Sequence, residues 1–543
     1  MEETHSSSLG SKCNPLAETE DSQSYSQNAL HKLNRLRTNF ESRKQIIGLE
    51  DRTFLLEQMV EWFGEIGYSP ADFDVLNAIH IAGSKGKGST AAFIFSILSE
   101  YLTEKYVSGE QTPGSLNKIG LYTSPHMRSV RERIRIRESR ATDFMDTPLD
   151  EKRFAQYLSE LWDRLGIDNR PSSQSPPFAK FLTLMGLHTF IQEKVDTAVV
   201  EVCIGGRYDS TNIFRQPSVC AITSLGLEHT DILGSTIEEI AWAKGGIMKA
   251  GIPVFTAPQE PGAMAVLEDL ARKEGADLQV ITTHPDLDCI ELGLPGDFQR
   301  INASLAIAVA AKHLSRMGYY DISETAIFMQ SPLPEKFRRG LENARWPGRC
   351  ETRQHQGICW LLDGAHTMES IGVLGAWAAK QMRVQHQARR VLIFNQQTKD
   401  ATALLRHLWQ IMELALSQWP HGVETIFHSA IFCTNILWEQ RDAPDLERAS
   451  MMYSGGEVED LVLQRELAMC WSRISKGVSA VTVVRTVEEA VRCVVDGYGN
   501  GNGNSDNGCR GTGRDEEHVD AVVLITGSLH LVGSAMEFLD TLV

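Results

Sequence analysis

The chain has little of several features that define common protein classes. Its ten cysteines are scattered without a Cys-x-x-Cys pair, which argues against zinc or a disulfide framework and favours a reduced intracellular protein with buried thiols. No apolar run approaches the roughly 20 residues that a membrane-spanning helix needs. Positive charge is also scarce, since acidic residues outnumber basic ones and give a net charge of -17. This charge argues against a protein that coats nucleic acid or anionic membrane.

The first 25 residues have no arginine and no apolar segment, so they match neither a transit peptide nor a secretory signal. They are Ser-rich and acidic, and we predict that residues 1–25 are the disordered N-terminus of a cytoplasmic protein. A mitochondrial form made from another start is left open. At 543 residues the chain is long enough for two or three domains.

Short apolar runs separated by helical patterns predict an α/β fold with mostly parallel sheets. These runs are Val195–Val202, Val219–Leu225, Val391–Phe394, Ala430–Cys433 and Val522–Ile525. The sequence RWPGR at Arg345–Arg349 lies between two such series, so we predict one domain over residues 26–344 and a smaller one over 345–543. The low-complexity segment 497–513 is predicted to be a flexible insertion in the second domain.

The most informative segment is Leu76–Leu98, in which an apolar strand leads through a Gly-rich turn directly into an apolar helix. Glycines let backbone amides approach an anion, Lys87 adds a positive charge, and Ser89 or Thr90 can hold Mg²⁺. The spacing departs from the strict GxxxxGK[ST] pattern, so a structural Gly-rich turn is the alternative. The residues expected to face phosphates are Gly83, Ser84, Lys85, Gly86, Lys87, Gly88, Ser89 and Thr90.

Polar residues also follow two later strands. Glu201 ends one apolar run, and Glu228, His229 and Asp231 follow another. Because ligands bind beyond the carboxyl ends of strands in open α/β sheets, Ser89, Glu201 and His229 are predicted to gather around one metal near the phosphates. For His229, a structural hydrogen-bonding role is the alternative.

An arginine-rich segment and a single lysine stand out as well. Arg131, Arg133, Arg135 and Arg137 share one parity, so on a strand their guanidinium groups would form a ridge that suits carboxylates or phosphates, or else a solvated face. Lys244 lies on the apolar stripe of the helix that follows a capping box at Ser235 or Thr236. It is predicted to be a buried cation, unless it snorkels to solvent.

These motifs together resemble the folylpolyglutamate synthase family, which is related to the Mur ligases, from about residue 26 to the end. The form IGGRYDSTN and the tail FHSAIFCTN are closest to the eukaryotic branch. The resemblance implies a P-loop-type ATPase domain followed by a Rossmann-like domain. The matching segments are AGSKGKGST, TSPHMRSVRERI, EVCIGGRYDSTN, LGLEHTDILG, AKGGIMK, GDFQRINASLA, RWPGR, LDGAHT and TGSLHLVG.

The resemblance also implies roles for individual residues. The implied magnesium ligands are Ser89, Ser124, Glu201 and His229, and Lys244 corresponds to a lysine that relatives carry as a carbamate. The implied ATP contacts from the second-domain side are Asn302, Arg349 and Asp363, with His366 close to the phosphates. The chain departs from the family pattern at Ser84–Lys85, Glu228 and Thr367, which puts the fine nucleotide geometry in doubt.

The resemblance implies that the γ-carboxylate of a reduced folate attacks the γ-phosphate of ATP, and that the amine of L-glutamate then displaces phosphate to form an amide. ATP and Mg²⁺ are the implied cofactors, K⁺ or another monovalent cation is a further candidate, and a monomer is expected. We add that Arg131, Arg133 and Arg135 steer the anionic glutamate tail. The alternatives are a dihydrofolate synthase, separable by turnover of dihydropteroate, and an ATP-driven switch whose phosphate release needs no glutamate.

Overall fold

The computed structural model describes residues 26–37, 49, 51–102, 116–138, 147–319, 332–397, 400–417, 425–438, 460–498 and 519–542. The predicted disordered segment 1–25 lies outside these residues, as does the predicted insertion beyond Tyr498. In the described part of the chain, no helix is long and apolar enough to cross a membrane. The eight cysteines within it are free thiols, six of them buried or nearly so.

Strands and helices alternate along most of the described chain. The strands are β1 (Ile79–Ala82), β2 (Lys118–Tyr122), β3 (Ile134–Glu138), β4 (Thr197–Glu201), β5 (Val219–Ile222), β6 (Pro253–Thr256), β7 (Asp277–Val280), β8 (Glu351–His355), β9 (Ile358–Leu362), β10 (Arg389–Phe394), β11 (Ser429–Phe432), β12 (Ala480–Val483) and β13 (Ala521–Thr526). The α-helices are 26–35, Phe54–Glu65, Lys87–Ser99, Glu151–Arg164, Phe178–Gln192, Thr230–Leu233, Ile237–Gly245, Pro261–Glu274, Gln299–Arg316, Glu335–Asn343, Met368–Val384, Ala401–Ser417, Val462–Ile474, Val487–Tyr498 and Leu529–Thr541.

The first sheet has seven strands in the order β3-β2-β4-β1-β5-β6-β7. All of its neighbouring strands run parallel except β2 and β3. Strand β1 is buried throughout and lies between β4 and β5, in register with Glu201 opposite Ile81. This order brings the carboxyl ends of β1, β4 and β5 to one edge, where ligands bind in such sheets.

The second sheet has six strands in the order β12-β11-β10-β13-β9-β8, and only β8 runs antiparallel to its neighbour. The five predicted apolar runs are all strands, and the predicted fold class is confirmed. The two sheets lie on either side of the RWPGR segment in the chain. The exact division into domains at residues 344 and 345 stays a prediction.

The helix Lys87–Ser99, which follows β1, is apolar on nearly all sides and almost entirely buried. It packs against the helices Gln299–Arg316 and Glu335–Asn343. A Cβ added at Gly340 would lie 2.6 Å from the Cα of Ile97, so the backbones of two helices are in close contact there. A helix buried in this way is fixed from several sides, and its first turn therefore holds the site rigidly.

Candidate functional site

The turn between β1 and the helix Lys87–Ser99 requires glycine at two positions. Gly83 and Gly86 have φ values of 145° and 89°, which other residues rarely adopt. A Cβ at Gly83 would lie 1.9 Å from Thr223 Oγ1, and one at Gly86 would lie 2.2 Å from Asn302 Oδ1. The loop is therefore pressed against neighbouring segments, with the first amides of the helix left to face an anion.

Two lysine side chains converge on one backbone carbonyl of this loop. Lys87 Nζ donates a hydrogen bond to Gly83 O at 2.9 Å, and Lys244 Nζ donates to the same oxygen at 2.7 Å. Lys244 is only 1% exposed, so the alternative that it snorkels to solvent is wrong. Burial and the nearby charge of Lys87 lower the pKa of Lys244 to about 8, although Glu228 Oε1 lies 2.8 Å from its Nζ.

A third lysine connects this cluster with the second sheet. Lys85 Nζ lies 3.1 Å from Thr367 Oγ1 and 3.9 Å from Glu228 Oε2. Together with the Glu228–Lys244 ion pair, these contacts form a polar chain from Thr367 to Lys244, which we call the polar chain below. The positions at which the sequence departs from the family pattern thus contact one another in space.

Glu201 lies beside the phosphate loop at the end of β4, where it is 5% exposed. Its Oε2 accepts a hydrogen bond from the Ser124 amide at 3.2 Å and lies 3.7 Å from the Cβ position of Gly88. Burial raises the pKa of Glu201, while the charges of Lys87 and Arg349 act in the opposite direction. A bound cation would stabilise the charged form of this buried carboxylate.

Ser89 is buried, and its hydroxyl accepts a hydrogen bond from Gln299 Nε2 at 3.1 Å. Gln299 Oε1 in turn accepts one from Asn302 Nδ2 at 2.9 Å. The sequence analysis selected Asn302 and missed Gln299. Their separation of three residues on one helix places both on the same face, a signal that could have identified Gln299.

The residues at this edge fit a magnesium ion better than a transition metal. In the part of the chain that the structure describes, no group of three or more His, Cys, Asp or Glu side chains is placed to hold a metal. The Ser89 hydroxyl and the Glu201 carboxylate offer oxygen ligands, which Mg²⁺ combines with water and substrate phosphates. His229 is the N-cap residue of the short helix Thr230–Leu233 and has a φ of 48°. Its role as a metal ligand, like that of Ser124, stays a prediction.

Arg349 and Asp363 approach the site from the second-sheet side. Both carboxylate oxygens of Asp363 accept hydrogen bonds from backbone amides at 2.8 Å, and burial raises its pKa against the charge of Arg349. The same arginine also lowers the pKa of Glu201, so its charge acts on both carboxylates. His366 Nδ1 lies 2.8 Å from Gly364 O, which leaves Nε2 as its other polar atom.

The predicted ridge of four arginines on one strand face is wrong. Arg131 and Arg133 belong to the 3₁₀ turn Val130–Arg133, and only Arg135 and Arg137 lie on β3. The capping box formed by Ser129 and Glu132 favours this turn, and alternation along the sequence could not reveal it. The side chain of Arg131 is paired with Glu151, with 3.3 Å between Nη2 and Oε1.

Arg133 and Arg135 are both buried rather than solvated. Arg133 Nε donates to His126 Nδ1 at 2.9 Å, and its guanidinium lies 6.0 Å from the centre of the Phe178 ring. Arg135 stacks 5.0 Å from the Trp346 ring centre, and Trp346 also lies 3.1 Å from the Cβ position of Gly88. The two arginines are therefore held at the phosphate-loop edge by specific partners.

A cavity of about 1480 Å³ opens next to this edge. Arg133, which acts electrostatically on Glu201, and Cys203, two residues beyond it, line the part that we call the inner end. Other lining residues belong to the helices Phe54–Glu65 and Ile237–Gly245. Its wall combines aromatic rings with cations, as ligand pockets for planar anionic molecules do. Residues that give it this character are Trp62, Arg133, Phe178, Lys180, Tyr208 and Trp242.

Comparisons with known proteins agree on one family. No protein-family model matches the chain. A curated folylpolyglutamate synthase from Saccharomyces cerevisiae is 38% identical over 523 residues, which cover 94% of this chain and 86% of the relative. The Mycobacterium tuberculosis folylpolyglutamate synthase complexed with ADP has a TM-score of 0.63 at 20% identity, covering 94% of this chain and 98% of that one.

A second solved structure has a similar fold. The bifunctional folylpolyglutamate synthase/dihydrofolate synthase from Yersinia pestis, complexed with AMPPNP and a Mn ion, has a TM-score of 0.57 at 22% identity. The match covers 89% of this chain and 93% of that one. At this level of identity, the structural likeness speaks for the fold alone.

We expect the Lys85–Thr367 contact to couple the two sheets energetically. In a double-mutant cycle of Lys85→Met and Thr367→Val, the two losses in thermal stability should be non-additive by about 0.5–1.5 kcal/mol, the range for a hydrogen bond. Thr367→Ser, which keeps the hydroxyl and its helix cap, serves as the matched control and should couple to Lys85 as the wild type does. Additive losses would contradict the contact.

Proposed function

Because the chain belongs to the folylpolyglutamate synthase family, it is an ATP-dependent ligase that joins L-glutamate to folate, and we propose how its residues carry the reaction. The likeness to the yeast enzyme along nearly the whole chain supports this assignment. The feature of the site that best supports ATP binding is the cluster of lysines around a Gly-rich loop. Positively charged side chains and loop amides attract the negatively charged phosphates.

The phosphoryl step takes place at the loop. A carboxylate is a poor acyl donor, so the folate γ-carboxylate attacks the γ-phosphate of ATP and forms an acyl phosphate. Lys87 and the loop amides stabilise the negative charge that develops on the phosphate oxygens. Magnesium, when bound, neutralises phosphate charge, and Ser89, Ser124, Glu201 and His229 are the residues proposed to hold it.

The second-sheet side closes the site. Asn302, Arg349 and Asp363 are proposed to hold the nucleotide, and His366 lies near its phosphates. The contact between Lys85 and Thr367 would keep the two sheets together during the reaction. Closure matters because water would otherwise hydrolyse the acyl phosphate before the amine of L-glutamate displaces phosphate and forms the amide.

The large cavity is proposed to bind the folate. Its apolar and aromatic walls suit the pterin and benzoyl rings, and its inner end lies next to Glu201, where the reacting carboxylate must arrive. Arg133 lies at this inner end and is proposed, with Arg131 and Arg135, to attract the glutamate tail. Use of dihydropteroate as a second acceptor remains open, because it would need the same ATP-binding residues.

Several finer points rest on the sequence alone. A monomeric state, a cytoplasmic location, a mitochondrial form and a requirement for K⁺ or another monovalent cation all stay predictions. An ATP-driven switch without ligase activity is disfavoured, because the relatives are named as ligases.

Lys87→Ala and Glu201→Ala should each lower kcat for glutamate ligation by about 100- to 1,000-fold, the usual cost of removing a group aimed at transition-state charge. The circular dichroism spectrum should not change, because Lys87 lies in the first turn of its helix and Glu201 at the end of β4, both outside the apolar core. Ligation is measured with tetrahydrofolate, L-glutamate and MgATP. Lys152→Ala, on an exposed helix face, is the control, and near-normal turnover in either site variant would refute the site.

Lys244 is proposed to carry a carbamate formed from CO₂. Only the neutral amine reacts with CO₂, and a pKa of about 8 leaves about a tenth of the lysine neutral at pH 7 and half at pH 8. The carbamate should therefore increase with pH across this range. Because it would place an anion beside Glu228, it should also require a divalent cation.

The carbamate can be observed directly. Wild type incubated with ¹³C-bicarbonate and Mg²⁺ should show a carbamate carbon resonance that Lys244→Ala lacks. The variant should lose ligase activity, which small carboxylic acids would restore in part. Normal activity of CO₂-depleted wild type, or a resonance that persists in Lys244→Ala, would disprove the carbamate.

Arg133 and Arg135 are predicted to favour long polyglutamate substrates. Exchanging both for Gln should lower kcat/KM for folates with several glutamates more than for the monoglutamate, and should flatten the salt dependence of that preference. Arg272→Gln is the comparison, since Arg272 is an exposed arginine paired with Asp269. Equal losses for all chain lengths would show that the two buried arginines are structural.

A further inference from the structure

Lys180 is a cavity residue that the proposed phosphoryl step does not use. It lies in the first turn of the helix Phe178–Gln192, and residues 177–180 line the cavity near its inner end. Its Nζ lies 3.3 Å from Gln58 Oε1 and 5.3 Å from the centre of the Trp62 ring. An amide oxygen and an aromatic face thus hold the ammonium group at the cavity wall.

The charge of Lys180 is not balanced locally. In the described residues, none of the ion pairs includes this lysine. Asp209 acts on it electrostatically, but the oxygens of Asp209 already accept hydrogen bonds from Ile204 and Thr211. Removal from water lowers the pKa of Lys180 to about 8. A ligand carboxylate would pair with the Lys180 ammonium and compensate for its removal from water.

The other cations of the cavity wall have different surroundings, and Arg52 donates a hydrogen bond to the Ile232 carbonyl. Lys273 is paired with Asp269 at 2.7 Å, and Arg207 stacks on Trp242 at 4.3 Å. Arg133 acts on Glu201 and therefore belongs to the metal edge. Lys180 lies in the first turn of its helix, at the positive end of the helix dipole, and lines the cavity.

A folate substrate carries two carboxylates on its terminal glutamate. The γ-carboxylate must reach the phosphate loop to react, and the α-carboxylate, only a few bonds away, stays behind in the cavity. We propose that Lys180 binds this α-carboxylate and thereby selects acceptors that already carry a glutamate. The inference rests on the proposed assignment of the cavity to folate.

The proposed contact between Lys180 and the α-carboxylate distinguishes glutamate addition to folate from glutamate addition to dihydropteroate, two reactions that would use the same ATP site. Dihydropteroate has a single carboxylate, the one that reacts, and so offers nothing to Lys180. A half-buried ammonium left without its partner disfavours that substrate, which is how sites built for a charged group reject analogues that lack it. Lys180 is thus a specificity residue rather than a catalytic one.

The test compares two acceptors that differ only in the α-carboxylate, tetrahydropteroylglutamate and tetrahydropteroyl-4-aminobutyrate. Both present the reacting carboxylate, and kcat/KM is measured for each from ADP release, with products identified by mass spectrometry. Wild type should prefer the glutamate compound about 10- to 100-fold, the range for a hydrogen bond to a charged group. Lys180→Met should reduce this preference to near unity by losing activity toward the glutamate compound alone.

Lys273→Met is the matched control, because it removes a cavity lysine that already has Asp269 as its partner; its preference should equal that of wild type. Equal losses for both acceptors in Lys180→Met, or a wild type without any preference, would overturn the inference. Thermal melting monitors folding, and Lys180→Gln takes the place of the Met variant if that does not fold. Absence of ligation with either acceptor in wild type would instead refute the proposed function.

Discussion

The Gly83 carbonyl is the point on which the site is built, since it accepts hydrogen bonds from both Lys87 and Lys244. The positive φ of Gly83 and its contact with Thr223 fix the direction of that oxygen, and no residue with a side chain would fit. Two ammonium groups at one dipole make a positive pocket, and the proposed carbamate on Lys244 would replace one of them with an anion that a divalent cation balances. Its position at the middle of the first sheet follows from β1 lying between β4 and β5.

The polar chain extends this pocket to the second sheet. Thr367 caps the helix Met368–Val384 and also contacts Lys85, so the start of the helix that follows β9 touches the phosphate loop. Glu228 lies between Lys85 and Lys244. It therefore links the contact that Lys85 makes with Thr367 to the charge of the buried Lys244. The proposed closure of the site would thereby be coupled, through adjacent side chains, to the charge state of Lys244.

Much of this arrangement could be predicted from local sequence. The phosphate loop, the strands of both sheets and the capping box at Thr236 depend on residues close together in the chain, and each is found. Burial of Lys244 followed from the helical period. Side-chain partners are different: Gln299 reaches Ser89 across 210 residues, and Lys85 reaches Thr367 across 282. Periodicity identifies a face but not what it meets, which is why Lys180 was missed, whereas the arginine ridge was wrong because Arg131 and Arg133 lie in a capped 3₁₀ turn before the strand.

The central claim is that the positive pocket activates the folate γ-carboxylate by phosphorylation before the amide forms. The most direct measurement uses tetrahydrofolate labelled with ¹⁸O in its γ-carboxylate, together with L-glutamate and MgATP. An acyl phosphate transfers one labelled oxygen to the inorganic phosphate released in each turnover, and mass spectrometry of that phosphate detects it. One ¹⁸O per phosphate, with a product one glutamate longer, is the result predicted here; glutamate addition with unlabelled phosphate would contradict the account.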